Sequence, residues 1–201
     1  MSSSVLLDKF IKALQLMPGI GPVSASRIAY TLLERKRDLG IEMAEVIKQA
    51  LEQISRCPSC QNYSDEEGKE CDICSSLSRK ESATLCVVET PSDVQAIEET
   101  GSFQGTYFVL HGHLSPLDGI GVQELGLDIL FKKLTAQKYK EVILALSQTV
   151  EGNATAAFIS NFCKRHEIEI SQIASGVPIG GELNAVDGST LATSIAHRRK
   201  I

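Results

Sequence analysis

No apolar run in these 201 residues approaches the roughly 20 needed to cross a bilayer. The opening stretch, Met1-Ser-Ser-Ser-Val-Leu-Leu-Asp8, has no basic region ahead of an apolar one, so it does not read as a signal peptide. Both observations point to a cytoplasmic protein. Positive charge is not in excess either: 20 Lys and Arg stand against 25 Asp and Glu, a net charge of −5. This argues against strong stand-alone DNA binding, whose affinity comes largely from neutralised phosphates. It leaves room for a locally basic module, or for several copies acting together. No G-x-x-x-x-G-K-[ST] run occurs, which excludes a P-loop ATPase.

The composition is otherwise that of a globular protein, 43% hydrophobic and 22% charged. The length suits one medium domain with small modules attached. The charge is unevenly spread. Residues 1–56 carry 8 Lys/Arg against 6 Asp/Glu, a balance of +2, whereas residues 57–78 carry 1 against 5, a balance of −4.

Four of the six cysteines fall in two pairs, Cys57-Pro-Ser-Cys60 and Cys71-Asp-Ile-Cys74. A C-x2-C turn lets two thiolates grip one metal ion, and ten residues between the pairs suffice to bring both to one tetrahedral Zn²⁺. The linking loop is polar and could bury no core of its own, so the metal would hold it. Two disulfides are the alternative, and they need an oxidising compartment. Four sulfurs fill the coordination shell, so one structural Zn²⁺ per chain is expected, with no open position for catalysis. Cys86 and Cys163 sit apart in apolar stretches and read as buried reduced thiols.

Helical spacing of apolar residues predicts helices over 5–16 and 42–54, with another between them capped by Ser24. After Ser82 the texture changes to strands alternating with helices. Strands are expected at 84–89, 106–110, 141–145 and 167–173. Helices are expected at 93–99, 122–137 and 154–164. That alternation means a mostly parallel sheet covered on both faces, with ligands gathering at the strands' carboxyl ends. Glu89, Asp93, Ser147 and Glu151 fall there. The predicted organisation is a helical module at 1–55, a zinc module at 56–78, an α/β domain at 79–175 and a short C-terminal segment at 176–201.

Leu16-Met-Pro-Gly-Ile-Gly-Pro-Val-Ser-Ala25 resembles a helix-hairpin-helix element. Gly19 and Gly21 would let the backbone approach a ligand, and the next helix would offer free N–H groups to a phosphate. A plain turn between two helices also requires Pro and Gly. Val23 stands where many such elements carry a lysine. Lys9, Lys12, Arg27, Arg35, Lys36 and Arg37 are the candidate phosphate contacts. Asp118-Gly-Ile-Gly121 reads either as a second phosphate-gripping turn or as a loop opening the helix at 122. His111 and His113 read as loop histidines, exposed or bonded to backbone.

Val88-Glu89-Thr-Pro-Ser-Asp93 resembles the acidic motif of the Toprim domain of topoisomerases and primases. Those enzymes hold Mg²⁺ with a further Asp-x-Asp after a later strand. Here the corresponding stretch is Ala145-Leu-Ser-Gln-Thr-Val-Glu151, and both Asp positions are missing. No tyrosine stands in a recognisable nucleophile motif. For Glu89 and Asp93 the plainer reading is capping of a helix N-terminus. Weak Mg²⁺ binding or partner docking stays open for Glu89, Asp93 and Glu151.

The order helix-hairpin-helix, four-cysteine module and Toprim domain is similar to the RecR family of bacterial recombination mediators. The runs at 115–121, 149–152, 154–156 and 176–181 look like that family's signatures. The resemblance implies a non-enzymatic DNA-binding scaffold that assembles as a homotetrameric ring. It implies work with RecO and RecF to load RecA onto single strands coated by single-strand-binding protein. The DNA could be single-stranded, gapped or double-stranded. The competing reading is a small Mg²⁺-dependent Toprim nuclease or primase-like enzyme using Glu89, Asp93 and Glu151.

Overall fold

The computed structural model describes residues 4–174, 176, 177, 180 and 182–196. The chain divides into two compact units, residues 1–54 and 55–201.

The first unit is three helices. Helix α1 (Val5–Leu14) is capped by the Ser4 side chain, which accepts from the Leu7 N–H. Helix α2 (Pro22–Arg35) starts earlier than expected. Pro22 has no N–H to satisfy and a preset φ, so it suits the first turn. The cap is therefore Gly21, and Ser24 lies inside the helix without a capping role. Helix α3 (Arg37–Gln53) is longer than the predicted segment. Leu14, Ala25 and Ala29 form a small buried cluster with Phe10, Ile11 and Ile28 around it. The alanines allow α1 and α2 to pack closely. No residue of α3 is buried.

The second unit opens with a two-stranded antiparallel ribbon, β1 (Ser55–Arg56) and β2 (Tyr63–Ser64). Two short helices follow, α4 (Asp72–Ser75) and α5 (Leu77–Glu81). The main sheet contains β3 (Thr84–Val88), β4 (Thr106–Val109), β5 (Glu141–Ala145) and β6 (Glu169–Gln172). Its order is β4-β3-β5-β6, parallel throughout. Helices α6 (Pro91–Glu99), α7 (Leu127–Ala136) and α8 (Val150–Arg165) supply the crossovers.

Alternate residues of the central strands enter two different cores, as the two-residue strand period requires. Leu85, Val87, Phe108, Val142 and Leu144 pack with Leu127, Leu130 and Leu134 of α7 and Ile159 and Cys163 of α8. Cys86, Val88, Tyr107 and Val109 pack with Val94 of α6 on the other face. The parallel sheet covered on both faces is thus as expected. Cys86 and Cys163 are buried and unpaired, also as expected. A partly buried cluster holds α5 to this core. The Arg79 guanidinium meets both Glu98 oxygens at 2.6 and 2.9 Å, and the Tyr107 hydroxyl donates to Glu98 at 2.7 Å. Burial pushes the Glu98 carboxyl up, but Arg79 and Tyr107 outweigh it and hold it below the usual range.

Three helix starts of this unit differ from the sequence reading: α6 begins at Pro91, not 93, behind its Thr90 cap, and α7 and α8 are displaced further. Helix α7 begins at 127, not 122. Gly126 takes a left-handed φ of 61°, and residues 115–120 close into a bridge in which Ser115 donates to Asp118. The Asp118–Gly121 turn is therefore a closed loop ahead of that helix. Helix α8 begins at 150, not 154, because Thr149 caps it by accepting from the Gly152 N–H at 3.0 Å. Beyond β6 the chain forms a short 3-10 turn, Leu183–Ala185, and helix α9 (Gly188–Ala196). The Arg198-Arg-Lys200 tail lies outside the described residues, as do Pro178, Ile179 and Gly181 of the run at 176–181.

Candidate functional site

The ribbon β1–β2 sets up the first half of a metal centre. The Cys57 N–H donates to Asn62 O at 2.7 Å, and the Gln61 N–H donates to Cys57 O at 2.9 Å. These bonds close a tight knuckle, with Gln61 in the left-handed region at φ 63°. Cys71 caps α4 and Cys74 lies within it, so one helical turn presents both remaining thiols. All four sulfurs lie within 4.8 Å of one another. A tetrahedron with metal–sulfur bonds near 2.3 Å has edges of about 3.8 Å, so the cage fits such an ion. Cys60 Sγ and Cys71 Sγ are 3.5 Å apart, and the Cys71 N–H points at Cys57 Sγ at 3.4 Å. Hydrogen bonds from Cys60 and Cys74 hold the Cys71 thiol well below its ordinary range, while the Cys71 and Cys74 sulfurs push Cys60 up. Thiols this crowded need a shared cation before all can ionise. The cluster can hold a metal ion, and a four-sulfur shell of this size is consistent with structural zinc.

The knuckle is not free-standing. Three successive carbonyls are engaged by the α/β domain. Ser59 O accepts from the Lys133 ammonium at 3.0 Å, Cys60 O from the Val109 N–H at 2.8 Å, and Gln61 O meets His111 Nε2 at 2.7 Å. His111 is thus bonded to backbone, as its loop position suggested.

At the carboxyl ends of β3 and β5 lies the second feature. Glu89 Oε1 accepts from both the Ser147 N–H (2.9 Å) and the Ser147 hydroxyl (2.7 Å). Asp93 forms a capping box with Thr90: the Thr90 N–H donates to Asp93 Oδ2 at 2.7 Å, and the Asp93 N–H to Thr90 Oγ1 at 3.3 Å. Glu151 sits in the first turn of α8. Among the described residues only the four cysteines gather closely enough to form a multi-ligand metal cluster; Glu89, Asp93 and Glu151 do not.

The basic candidates all lie on the first unit and are exposed. Lys9 and Lys12 share a face of α1 at i,i+3 spacing. Lys9 borders a groove with Leu6, Phe10 and Leu33, whereas Arg27 and Lys36 flank another with Ile28, Leu32 and Leu39. Arg35 ends α2, and Arg37 opens α3 with its Nε donating to Leu33 O at 2.9 Å. Gly19 needs its left-handed φ of 79°. Gly21 does not, having φ −83°, and a Cβ there would meet nothing within 4 Å. Sequence reading overlooked Lys133. Its signal was a lysine three residues after Leu130 on the apolar stripe of α7.

A parallel sheet of Toprim type with a cysteine-lined metal knuckle, preceded in sequence by a helical hairpin, defines a multi-module Toprim protein. Comparison with family models refines the class. A RecR helix-hairpin-helix model matches residues 7–51, a Toprim domain model residues 83–174, and a RecR C-terminal model residues 176–199. The chain belongs to the RecR family. Membership supports a role in recombinational repair. No helix among the described residues is long and apolar enough to cross a membrane.

Proposed function

We propose that this protein is a non-enzymatic, cytoplasmic DNA-binding scaffold. It acts with RecO and RecF to load RecA onto single-stranded DNA coated by single-strand-binding protein. The observation that carries the non-enzymatic part is the strand-end edge. The stretch Ala145–Glu151 after β5 lacks the Asp-x-Asp of Toprim enzymes, and the acids that remain are engaged locally, Glu89 by Ser147 and Asp93 in the cap of α6. In this reading the three acids dock a partner, or hold Mg²⁺ only weakly. The cysteine cage holds one structural Zn²⁺, which supplies only cross-linking of the knuckle.

DNA contact is assigned to the first unit. Among the described residues nothing demands a glycine at 21, at the entry to α2, where unpaired N–H groups suit a phosphate. Lys9, Lys12, Arg27, Arg35, Lys36 and Arg37 supply sequence-blind charge around it. Binding is expected to fall steeply with salt, and Lys12→Gln to flatten the log K against log salt slope by about one phosphate's worth. Fluorescence titration across a salt series checks this. Robust Mg²⁺-dependent nicking, abolished by Glu89→Gln, would overturn the scaffold in favour of the nuclease.

Self-association into a homotetrameric ring completes the proposal. Leu39, Met43, Val46 and Ile47 line an apolar groove on α3, and every one of them is exposed. A helix with no buried residue and this much apolar surface is incompletely satisfied by its own chain. Met43→Glu with Ile47→Glu is expected to lower the assembly mass seen by light scattering while leaving helix content unchanged. An unchanged mass would remove α3 from the interface.

A further inference from the structure

Lys133 is an anomaly. It lies in the middle of α7, is only 9% exposed, and has the buried leucines 130 and 134 beside it. A buried ammonium is costly without an opposite charge. No carboxylate pairs with it among the described residues, whose ion pairs involve Lys69, Arg79, Lys80 and Lys132 instead. Its two hydrogen bonds go to Ser59 O and Ser59 Oγ, both at 3.0 Å. Ser59 lies between Cys57 and Cys60, so these bonds place the ammonium against the first cysteine knuckle. The cation therefore stands beside the turn that carries Cys57 and Cys60, where a metal-bound thiolate set would concentrate negative charge.

The electrostatics explain the arrangement. Four thiolates around one divalent ion make a formal dianion, here largely buried. Lys80 also lies near the sulfurs, but it is exposed and paired with Glu70 at 2.8 Å. Among the described residues Lys133 is the buried charged side chain, and its bonds go to the cysteine turn with no carboxylate partner. Second-shell groups of this kind orient metal ligands and tune how tightly the ion is held.

We propose that Lys133 is the positioning counter-cation of the metal–thiolate centre, through which helix α7 of the Toprim domain sets the retention of the metal. The inference rests on the zinc reading above. Its charge compensates the bound tetrathiolate, and its hydrogen bonds fix the Ser59 turn that aims Cys57 and Cys60.

The test uses the full-length protein as purified, with zinc content measured first. Wild type, Lys133→Gln, Lys133→Met and Lys133→Arg are compared by the rate of zinc transfer to a chromogenic chelator. Melting of zinc-loaded and chelator-stripped forms is followed alongside. The expected result is zinc loss faster by about 10- to 100-fold in Lys133→Gln and Lys133→Met, with substantial rescue in Lys133→Arg. The gap in melting temperature between loaded and stripped forms should narrow in the uncharged variants. Equal lowering of both forms with unchanged zinc release would overturn the proposal and leave Lys133 a packing residue. Should Lys133→Met fail to fold, Lys133→Gln decides, since it keeps a donor for Ser59 without the charge. Wild type that contains no zinc would instead overturn the zinc reading beneath the proposal.

Discussion

Gly152→Ala is expected to destabilise the second unit by about 2–4 kcal/mol, although alanine is the better helix former by about 1 kcal/mol. The reason lies outside the helix. A Cβ on Gly152 would stand 2.1 Å from the Ser147 carbonyl oxygen and 2.7 Å from its hydroxyl. The opposing atom is backbone, and it is held from its other side. Ser147 donates twice to Glu89, so the loop cannot retreat without breaking those bonds. The φ of Gly152 is ordinary, so conformational freedom is not what the glycine provides. It provides room for the strand-end loop to fold against the start of α8. For a unit of this size the cost corresponds to a fall in melting temperature of very roughly 5–15 °C. The Glu89→Ala background should soften the penalty, because it removes the acceptor that holds Ser147 and the loop could then shift; the two substitutions would be non-additive. Thermal melts of the four-member cycle check this. An alanine variant as stable as wild type would contradict the close approach.

That glycine marks a limit of sequence reading. Its run, Thr149-Val-Glu-Gly152, was visible, but the demand on residue 152 comes from a carbonyl five positions earlier, brought close by the β5–α8 turn. Lys133 escaped for a related reason. A lysine in an amphipathic helix ordinarily faces water, and only the packing of α7 against the knuckle buries this one. The start of α7 was misplaced because apolar residues at 120, 122 and 125 continue its pattern, while the left-handed Gly126 interrupts the helix. Ser24 is not the cap because Pro22 begins the helix three residues sooner, behind Gly21. What was legible depends on short-range rules. The paired C-x2-C spacing announces a cage because a metal fixes the distance between thiols. The β-branched runs announce buried parallel strands because both their faces must be covered. Asp93 caps its helix as the sequence suggests, whereas Glu89, read the same way, accepts instead from Ser147 across the sheet edge.

Removal of one ligand, as in Cys74→Ser, should abolish stoichiometric zinc and lower the melting temperature by about 7–18 °C. Metal in isolated finger peptides contributes about 10–16 kcal/mol, because nothing else folds them. Here the loss should be smaller, about 3–5 kcal/mol, for a structural reason. The first knuckle keeps its contacts to the α/β domain through the carbonyls of Ser59, Cys60 and Gln61. The second pair has less to fall back on. The loop from 65 to 70 is exposed, and α4 is only four residues long. Without metal, Cys71 and Cys74 lose the tie that joins them to the first knuckle, and the polar loop has no apolar core to replace it. The two sheet cores contain none of the four cysteines, so the parallel sheet should survive. Circular dichroism of the variant should therefore retain the α/β signature at low temperature, with a depressed transition. Chelator treatment of wild type should reproduce the same depression, and added zinc should reverse it. A Cys74→Ser protein with wild-type melting and no bound zinc would show that the backbone contacts alone hold the knuckle, and that the metal adds nothing to the fold.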